Sequence, residues 1–364
     1  MPLEQVDTPA LLLDLDAFEH NVARMAGAVA GAGVALRAHA KTHKCPMIAR
    51  AQIAAGAVGV CCQKVTEAEA MVQGGVGDVL VSNQVVGRAK ELRLAALARQ
   101  ARVGVCVDDA ANVDALSAAA QAFGVELWVL VEINVGANRC GVEPGEPAVA
   151  LARRVAAAPG LRFAGLQAYQ GSAQHLRAFA ERRAAIERAV ALTRETAALL
   201  ERAGLPCEVI AGAGTGTYAF EAASGLYTEL QAGSYVFMDA DYAQNLAEDG
   251  QRVSEFRHSL FIYATVMSHP MPDRAVVDAG LKALSVDSGL PWVADRPGVV
   301  YERASDEHGK LAVGEGAGPL AVGDKLKLIP GHCDPTVNLY DWIVGVRNDR
   351  VECLWPVAAR GALL

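Results

Sequence analysis

The chain has 364 residues, 52% hydrophobic and 20% charged, which is ample for a large core, favours two domains over one and argues against disorder. A formal net charge of −8 gives no electrostatic footprint for nucleic acid. The apolar runs are strand-sized and broken by Gly, Asp or Arg, so neither a membrane span nor a signal peptide is expected. Eight cysteines (Cys45, Cys61, Cys62, Cys106, Cys140, Cys207, Cys333 and Cys353) are scattered without CxxC spacing, which argues for reduced thiols rather than disulfides or a zinc finger. The adjacent Cys61 and Cys62 are expected on opposite faces of one buried strand. A cytoplasmic enzyme with a small-molecule partner fits these constraints.

The run 8–14 (TPALLLD) precedes the first helix and has no barrel neighbour, so it is assigned to a second domain. From about Phe18 to Gly250, short β-type runs alternate with Ala/Leu/Arg-rich helical stretches, the pattern of βα units around a parallel sheet. Eight strands are predicted, at 34–39, 57–61, 78–81, 103–107, 127–133, 162–168, 207–211 and 229–232. Helices are predicted between them, including 66–73, 86–100, 110–123 and 174–203, so a (β/α)8 TIM-type barrel fits better than an open doubly wound sheet. After about Val253 the helical periodicity stops and β-rich pieces follow at 258–268, 274–279, 324–329 and 340–346. The expected organisation is a barrel over 15–250 and a mostly β domain made of 1–14 and 251–364, with the N-terminal strand joining the C-terminal pieces.

Lys41 closes the first barrel strand in the run Arg37-Ala38-His39-Ala40-Lys41-Thr42-His43-Lys44, where such a barrel carries its reactive groups. Its basic neighbours are expected to disfavour the ammonium form and leave more free amine to condense with a carbonyl. A surface lysine in a basic turn is the plain alternative.

A set of motifs then carries a resemblance: AHAKTHK at 38–44, VGANRCGV at 135–142, LQAYQGSAQH at 166–175, GAGTGTY at 212–218, ELQAGSYVFMD at 229–239, DAGLKALS at 278–285 and PGHCDPTVNLYD at 330–341. Spread over nearly the whole chain and in this order, they resemble the D-threonine aldolase and D-serine dehydratase branch of the alanine racemase-like, fold-type III pyridoxal phosphate enzymes. The resemblance implies that Lys41 carries pyridoxal 5'-phosphate as a Schiff base. Gly214, Thr215 and Gly216 after the seventh strand, and Gly233, Ser234 and Tyr235 after the eighth, stand where barrels bind phosphate, although each loop alone is also an ordinary turn. Arg139 suits the cofactor's phenolic oxygen, a substrate carboxylate, or a salt bridge at the barrel mouth. Tyr169, with Gln170 beside it, ends the sixth strand. Gln63 and Thr66 after the second strand, and Ser82 and Asn83 after the third, are candidates by position.

His332-Cys333-Asp334 is the second constellation. In an extended segment His332 and Asp334 share a face and Cys333 opposes them, so an imidazole and a carboxylate can share a metal. Dehydratase members carry Cys at the position of Asp334, whereas aldolase members carry Asp. A nitrogen and oxygen pair suits Mn²⁺, Co²⁺ or Mg²⁺; a twist turning Cys333 inward would restore a thiolate suited to Zn²⁺. The resemblance implies cleavage of a D-3-hydroxy-amino acid to glycine and an aldehyde, with a metal-bound water or His43 as base, in a homodimer. An aldolase acting on 3-hydroxy-D-aspartate is a close rival, although no residue identifies the extra cation its second carboxylate would demand. A D-serine or D-threo-3-hydroxyaspartate dehydratase is the rival reaction, and a pyridoxal phosphate carrier the non-enzyme alternative.

Overall fold

The computed structural model describes residues 1–364. Eight parallel strands close into a barrel: Ala35–His39, Gly59–Cys62, Asp78–Gln84, Arg102–Val107, Leu127–Glu132, Leu161–Gln167, Val209–Gly212 and Glu229–Leu230. Closure is made by Ala35 and Leu36 against Glu229 and Leu230. The eight predicted strands all lie on these eight. Most are buried on both faces, as a parallel sheet sheathed in helices requires, and this is why they read as short continuous apolar runs.

The helices between the strands include Val65–Gln73, Arg88–Leu97, Ala110–Phe123 and Phe179–Arg202. Asp109 starts the third of these by accepting the N–H groups of Ala111 and Asn112, and Gly124 at φ 62° ends it in the left-handed conformation that glycine tolerates. The predicted helix 174–203 begins later than expected because a 3₁₀ turn, Gly171–His175, comes first. No helix is long and apolar enough to cross a membrane.

Side chains fill the barrel. Cys61 packs inside it with Leu80, Cys106, Trp128 and Leu130, while Cys62 packs outward with the helices, the alternation expected for that pair. Trp128 fits because Gly104 faces it: a Cβ there would lie 2.2 Å from the indole. Arg37, 1% exposed, lies over the Trp128 ring and is neutralised by Glu229 at 2.8 Å and Asp78 at 2.7 Å.

The rest of the chain forms a nine-stranded sheet. The N-terminal strand Ala10–Asp14 lies within it, antiparallel to Leu260–Met271 and parallel to Trp342–Arg347, so the two ends of the chain share one sheet. Arg274–Val277 and Lys325–Ile329 flank Leu260–Met271, completing the four predicted pieces. Four further strands, Trp292–Val293, Val299–Ala304, Gly309–Val313 and Arg350–Pro356, were not among the predicted pieces.

One local expectation is overturned. Residues 332–334 are not extended: Cys333–Val337 is a short helix, with His332 as its N-cap. Pro335 suits the first turn, where its missing N–H costs nothing, and Thr336 Oγ1 closes back on the His332 carbonyl at 2.8 Å.

Candidate active site

The C-terminal ends of the barrel strands surround a cavity of about 310 Å³. Lys41 stands in its wall, in the 3₁₀ turn Ala40–Thr42 that directly follows the first strand. Its Nζ donates to Asp334 Oδ2 at 2.6 Å, so the helix carrying Asp334 reaches the Lys41 of its own chain. The second oxygen, Asp334 Oδ1, is buried without a partner.

This pairing corrects the expectation about the Lys41 amine. Asp334 raises the Lys41 pKa above its ordinary value, against the opposing effect of burial. The histidines that were to act as neighbouring cations are neutral: burial, helped by Lys41, lowers His39 well below its usual value, and burial takes His43 down to about 4. Burial alone would raise Asp334, but Lys41 and His332 outweigh it and hold the carboxyl at about 2.

Lys41, Gln63, Arg139, Tyr169, Gly214, Thr215, Gly233 and Ser234 meet in the cavity wall, joined by Ser82. Gln63 Nε2 lies 2.9 Å from His39 Nε2, and Arg139 lies over the Tyr169 ring at 5.7 Å. Arg139 is exposed and has no carboxylate partner within the chain, which removes the salt-bridge alternative. Gly214, Thr215, Gly233 and Ser234 are buried residues whose backbone N–H groups donate to no acceptor in the chain. Such orphaned donors are rare unless a ligand satisfies them, and together they make a cradle for an anion. A side chain at Gly233 would clash with the turn that carries Lys41, since a Cβ there lies 2.8 Å from both the His39 carbonyl oxygen and Thr42 Oγ1.

Six predicted site residues lie outside this wall: the two metal candidates His332 and Asp334, and four catalytic or cofactor candidates. His43 is fully buried, and its Nδ1 accepts the Cys45 N–H at 3.1 Å, so it has no access to a substrate. Thr66 is engaged elsewhere: its N–H and hydroxyl both donate to the Leu364 carbonyl at 3.0 Å. Tyr235 points into the core, with its hydroxyl accepting from Gln52 Nε2 at 3.0 Å and its N–H donating to Thr215 Oγ1 at 3.0 Å. The Gly216 N–H is taken by Gln174 Oε1 at 2.9 Å. Asn83 and Gln170 support loops instead, donating to the carbonyls of Gln63 and Val135.

His332 Nδ1 lies 2.8 Å from Asp287 Oδ2, which orients the ring and leaves its other nitrogen as a ligand. Cys333 turns away: its sulfur is buried against the Met238 carbonyl at 3.5 Å, engaged with the backbone, and burial pushes its thiol pKa well up. No group of three or more His, Cys, Asp or Glu side chains is disposed to enclose an ion. Two protein donors with an unpartnered carboxylate oxygen fit an open metal position, completed by water or substrate, rather than a closed structural one.

Several residues were not singled out from the sequence. His39 shares the inward parity of Arg37, and that alternation was the signal available for it. Gln167 and Gln231, which end the sixth strand and follow the eighth, pair through reciprocal amide bonds of 2.7 and 2.9 Å in the cavity wall. Asp239 accepts the Cys333 N–H at 3.2 Å and the Tyr242 N–H at 2.9 Å, tying the His332 segment to the barrel. His175 Nδ1 lies 2.6 Å from Asp241 Oδ2, and the exposed imidazole packs beside Tyr242, another wall residue.

Residues 13–241 match the family model for the alanine racemase N-terminal domain, and residues 259–346 match one described as a "putative serine dehydratase domain". The chain is 52% identical to the 3-hydroxy-D-aspartate aldolase of Paracoccus denitrificans (strain Pd 1222) and 49% identical to the D-threonine aldolase of an Arthrobacter species. Each alignment covers 99% of this chain and 94% of the relative. The crystal structure of D-threonine aldolase from Filomicrobium marinum superposes with a TM-score of 0.97 at 54% identity, covering 100% of this chain and 98% of that one. The barrel, the shared β sheet and these matches agree: the chain belongs to the alanine racemase N-terminal domain family, in the branch that also carries the serine dehydratase-type domain.

Proposed function

We propose that the protein is a pyridoxal phosphate- and divalent metal-dependent aldolase that cleaves D-threonine and related D-3-hydroxy-amino acids to glycine and an aldehyde. The observation that carries this reading is the Lys41–Asp334 contact at 2.6 Å, which sets the cofactor lysine beside the metal carboxylate within one chain. The four orphaned N–H groups fit the cofactor's phosphate. Bound pyridoxal phosphate supplies an electron-withdrawing ring that stores the electron pair released when Cα–Cβ breaks. A divalent ion held by His332 and Asp334 would acidify the substrate's β-hydroxyl; Mn²⁺ is the ion we infer, with Co²⁺ or Mg²⁺ as alternatives.

The side chains do the rest. Lys41 would hold the cofactor through the same amine that donates to Asp334 Oδ2, so a bound cofactor would compete with that contact. Arg139 would bind an anionic oxygen, and Tyr169 and Gln63, in the same cavity wall, would help hold the cofactor. His175 takes the place assigned to His43 as proton acceptor. It is exposed beside the cavity wall, and Asp241 stabilises the imidazolium that forms. The working form is a cytoplasmic homodimer acting on a small molecule rather than on nucleic acid or a membrane. Residues 15–250 hold the cofactor, and 1–14 with 251–364 supply the metal ligands.

Arg139, lacking a carboxylate partner, also favours a second reading with 3-hydroxy-D-aspartate as substrate and glycine plus glyoxylate as products. Incubation of the holoenzyme and Mn²⁺ with D-threonine should yield glycine and acetaldehyde. Ammonia and 2-oxobutanoate would show a dehydratase, and tight cofactor binding without turnover of either substrate a carrier.

A further inference from the structure

Gln174 lies in the 3₁₀ turn after the sixth strand, 1% exposed and outside the cavity wall. Its amide nevertheless shapes the loop after the seventh strand. Oε1 accepts the Gly216 N–H at 2.9 Å and Nε2 donates to Thr217 Oγ1 at 2.8 Å. These contacts fix the direction of every hydrogen that follows. Because the amide oxygen receives an N–H, the NH₂ end must donate to Thr217, whose hydrogen then goes to Glu221 Oε1 at 2.9 Å. Glu221 is 1% exposed, and its second oxygen has no partner.

The glycines of the loop pack directly on this residue. A Cβ at Gly214 would lie 2.5 Å from Gln174 Oε1, and one at Gly216 would lie 2.8 Å from the Gln174 carbonyl oxygen. That carbonyl is itself fixed by Asn245 Nδ2 at 3.0 Å. The Gly216 donor is thereby committed to Gln174, whereas those of Gly214 and Thr215 stay unpartnered.

We propose that Gln174 is a positioning residue for phosphate recognition: the directional chain from Gly216 through Gln174 and Thr217 to Glu221 holds the loop so that the Gly214 and Thr215 N–H groups face a phosphate dianion. It rests on the reading of this loop as the cofactor's phosphate cradle. A carboxylate at position 174 accepts from Gly216 but cannot donate to Thr217, and it places negative charge beneath the phosphate.

The test titrates apoenzyme with pyridoxal phosphate and, separately, with pyridoxal, following the visible absorption of the carbonyl bound to Lys41. Gln174→Glu and Thr217→Val should each weaken pyridoxal phosphate about tenfold or more, leave pyridoxal within about twofold, and Thr217→Ser should restore wild-type affinity. If Gln174→Glu does not fold, the Thr217 pair, which keeps volume or hydroxyl in turn, decides the matter. Unchanged pyridoxal phosphate affinity in a folded variant, or equal loss for both ligands, overturns the positioning role. Equal affinity of the wild type for the two ligands refutes the phosphate cradle itself, and the proposal with it.

Discussion

Lys41 Nζ and Asp334 Oδ2 meet at 2.6 Å although 293 residues separate them along the chain. The contact exists because the N-terminal strand Ala10–Asp14 sits inside the C-terminal sheet, which anchors that sheet to the barrel's first helix, Leu15–Ala32. A lysine and a carboxylate this close form an ion pair with one buried end, and the short helix carrying Asp334 reaches a barrel mouth it does not belong to.

Asp287 should govern metal affinity through His332. Its carboxylate fixes the imidazole by a 2.8 Å contact with Nδ1. Asp287→Asn should weaken Mn²⁺ activation of metal-stripped holoenzyme by roughly 10–100-fold, read from the activation midpoint. An unmoved midpoint would reduce Asp287 to a loop contact.

The two histidines assigned to proton transfer, one from the sequence and one from the structure, should separate cleanly. His175→Ala should lower kcat by on the order of 100-fold or more, because it removes a polarised imidazole beside the cavity. His43→Asn should keep kcat within about threefold and lower stability by about 1–2 kcal/mol, since it disturbs only a buried hydrogen bond. Steady-state kinetics and thermal unfolding of both variants check this, and a kcat loss confined to the His43 variant would reverse the assignment.

Thr66 should prove irrelevant to the cofactor. Thr66→Val removes a hydroxyl that donates to the Leu364 carbonyl and should cost under about 1 kcal/mol, leaving pyridoxal phosphate affinity unchanged by equilibrium titration. A clear loss of affinity would return Thr66 to the site.

Glu221 should make stability fall as pH rises. Burial lifts its pKa from the ordinary 4.5 to about 7, so between these values the folded protein keeps a proton that the unfolded chain has lost. Its contribution is therefore full below about 4.5, declines across the window and is gone above about 7, a change of about 3 kcal/mol in order of magnitude. His43, held neutral down to about 4, pulls the other way over part of that range, so the comparison must be with Glu221→Gln rather than the wild-type curve alone. Denaturant unfolding should show the Gln variant gaining on wild type from pH 5 to 7, and parallel curves would show that Glu221 does not titrate there.

The barrel was legible because each parallel strand is a short buried run between Ala-rich helices with their own period, as in Arg102–Val107 followed by Ala110–Phe123. Lys41, Gly214 and Asp334 were legible as motif residues. What escaped was set by contacts without local pattern. Asp287 lies 45 residues from His332, and Asp239 lies 94 from Cys333, so nothing in the run 330–341 announces either. His43 and Tyr235 misled because neighbours of a site residue in sequence can face the core, and Thr66 because the chain's last residue docks on it. The charge state of Lys41 was misjudged for the same reason: nearby histidines were visible, and the distant carboxylate was not.

The most direct measurement is Mn²⁺ titration of metal-stripped holoenzyme with D-threonine, following glycine release in the wild type and in Asp334→Ala. The wild type should release glycine only as Mn²⁺ is added, and the variant should stay flat by at least about 100-fold while the visible absorption of its Lys41-bound cofactor persists. Metal-independent glycine release, or an Mn²⁺ response in Asp334→Ala equal to the wild type's, would contradict a chemistry built on Lys41 and Asp334 together.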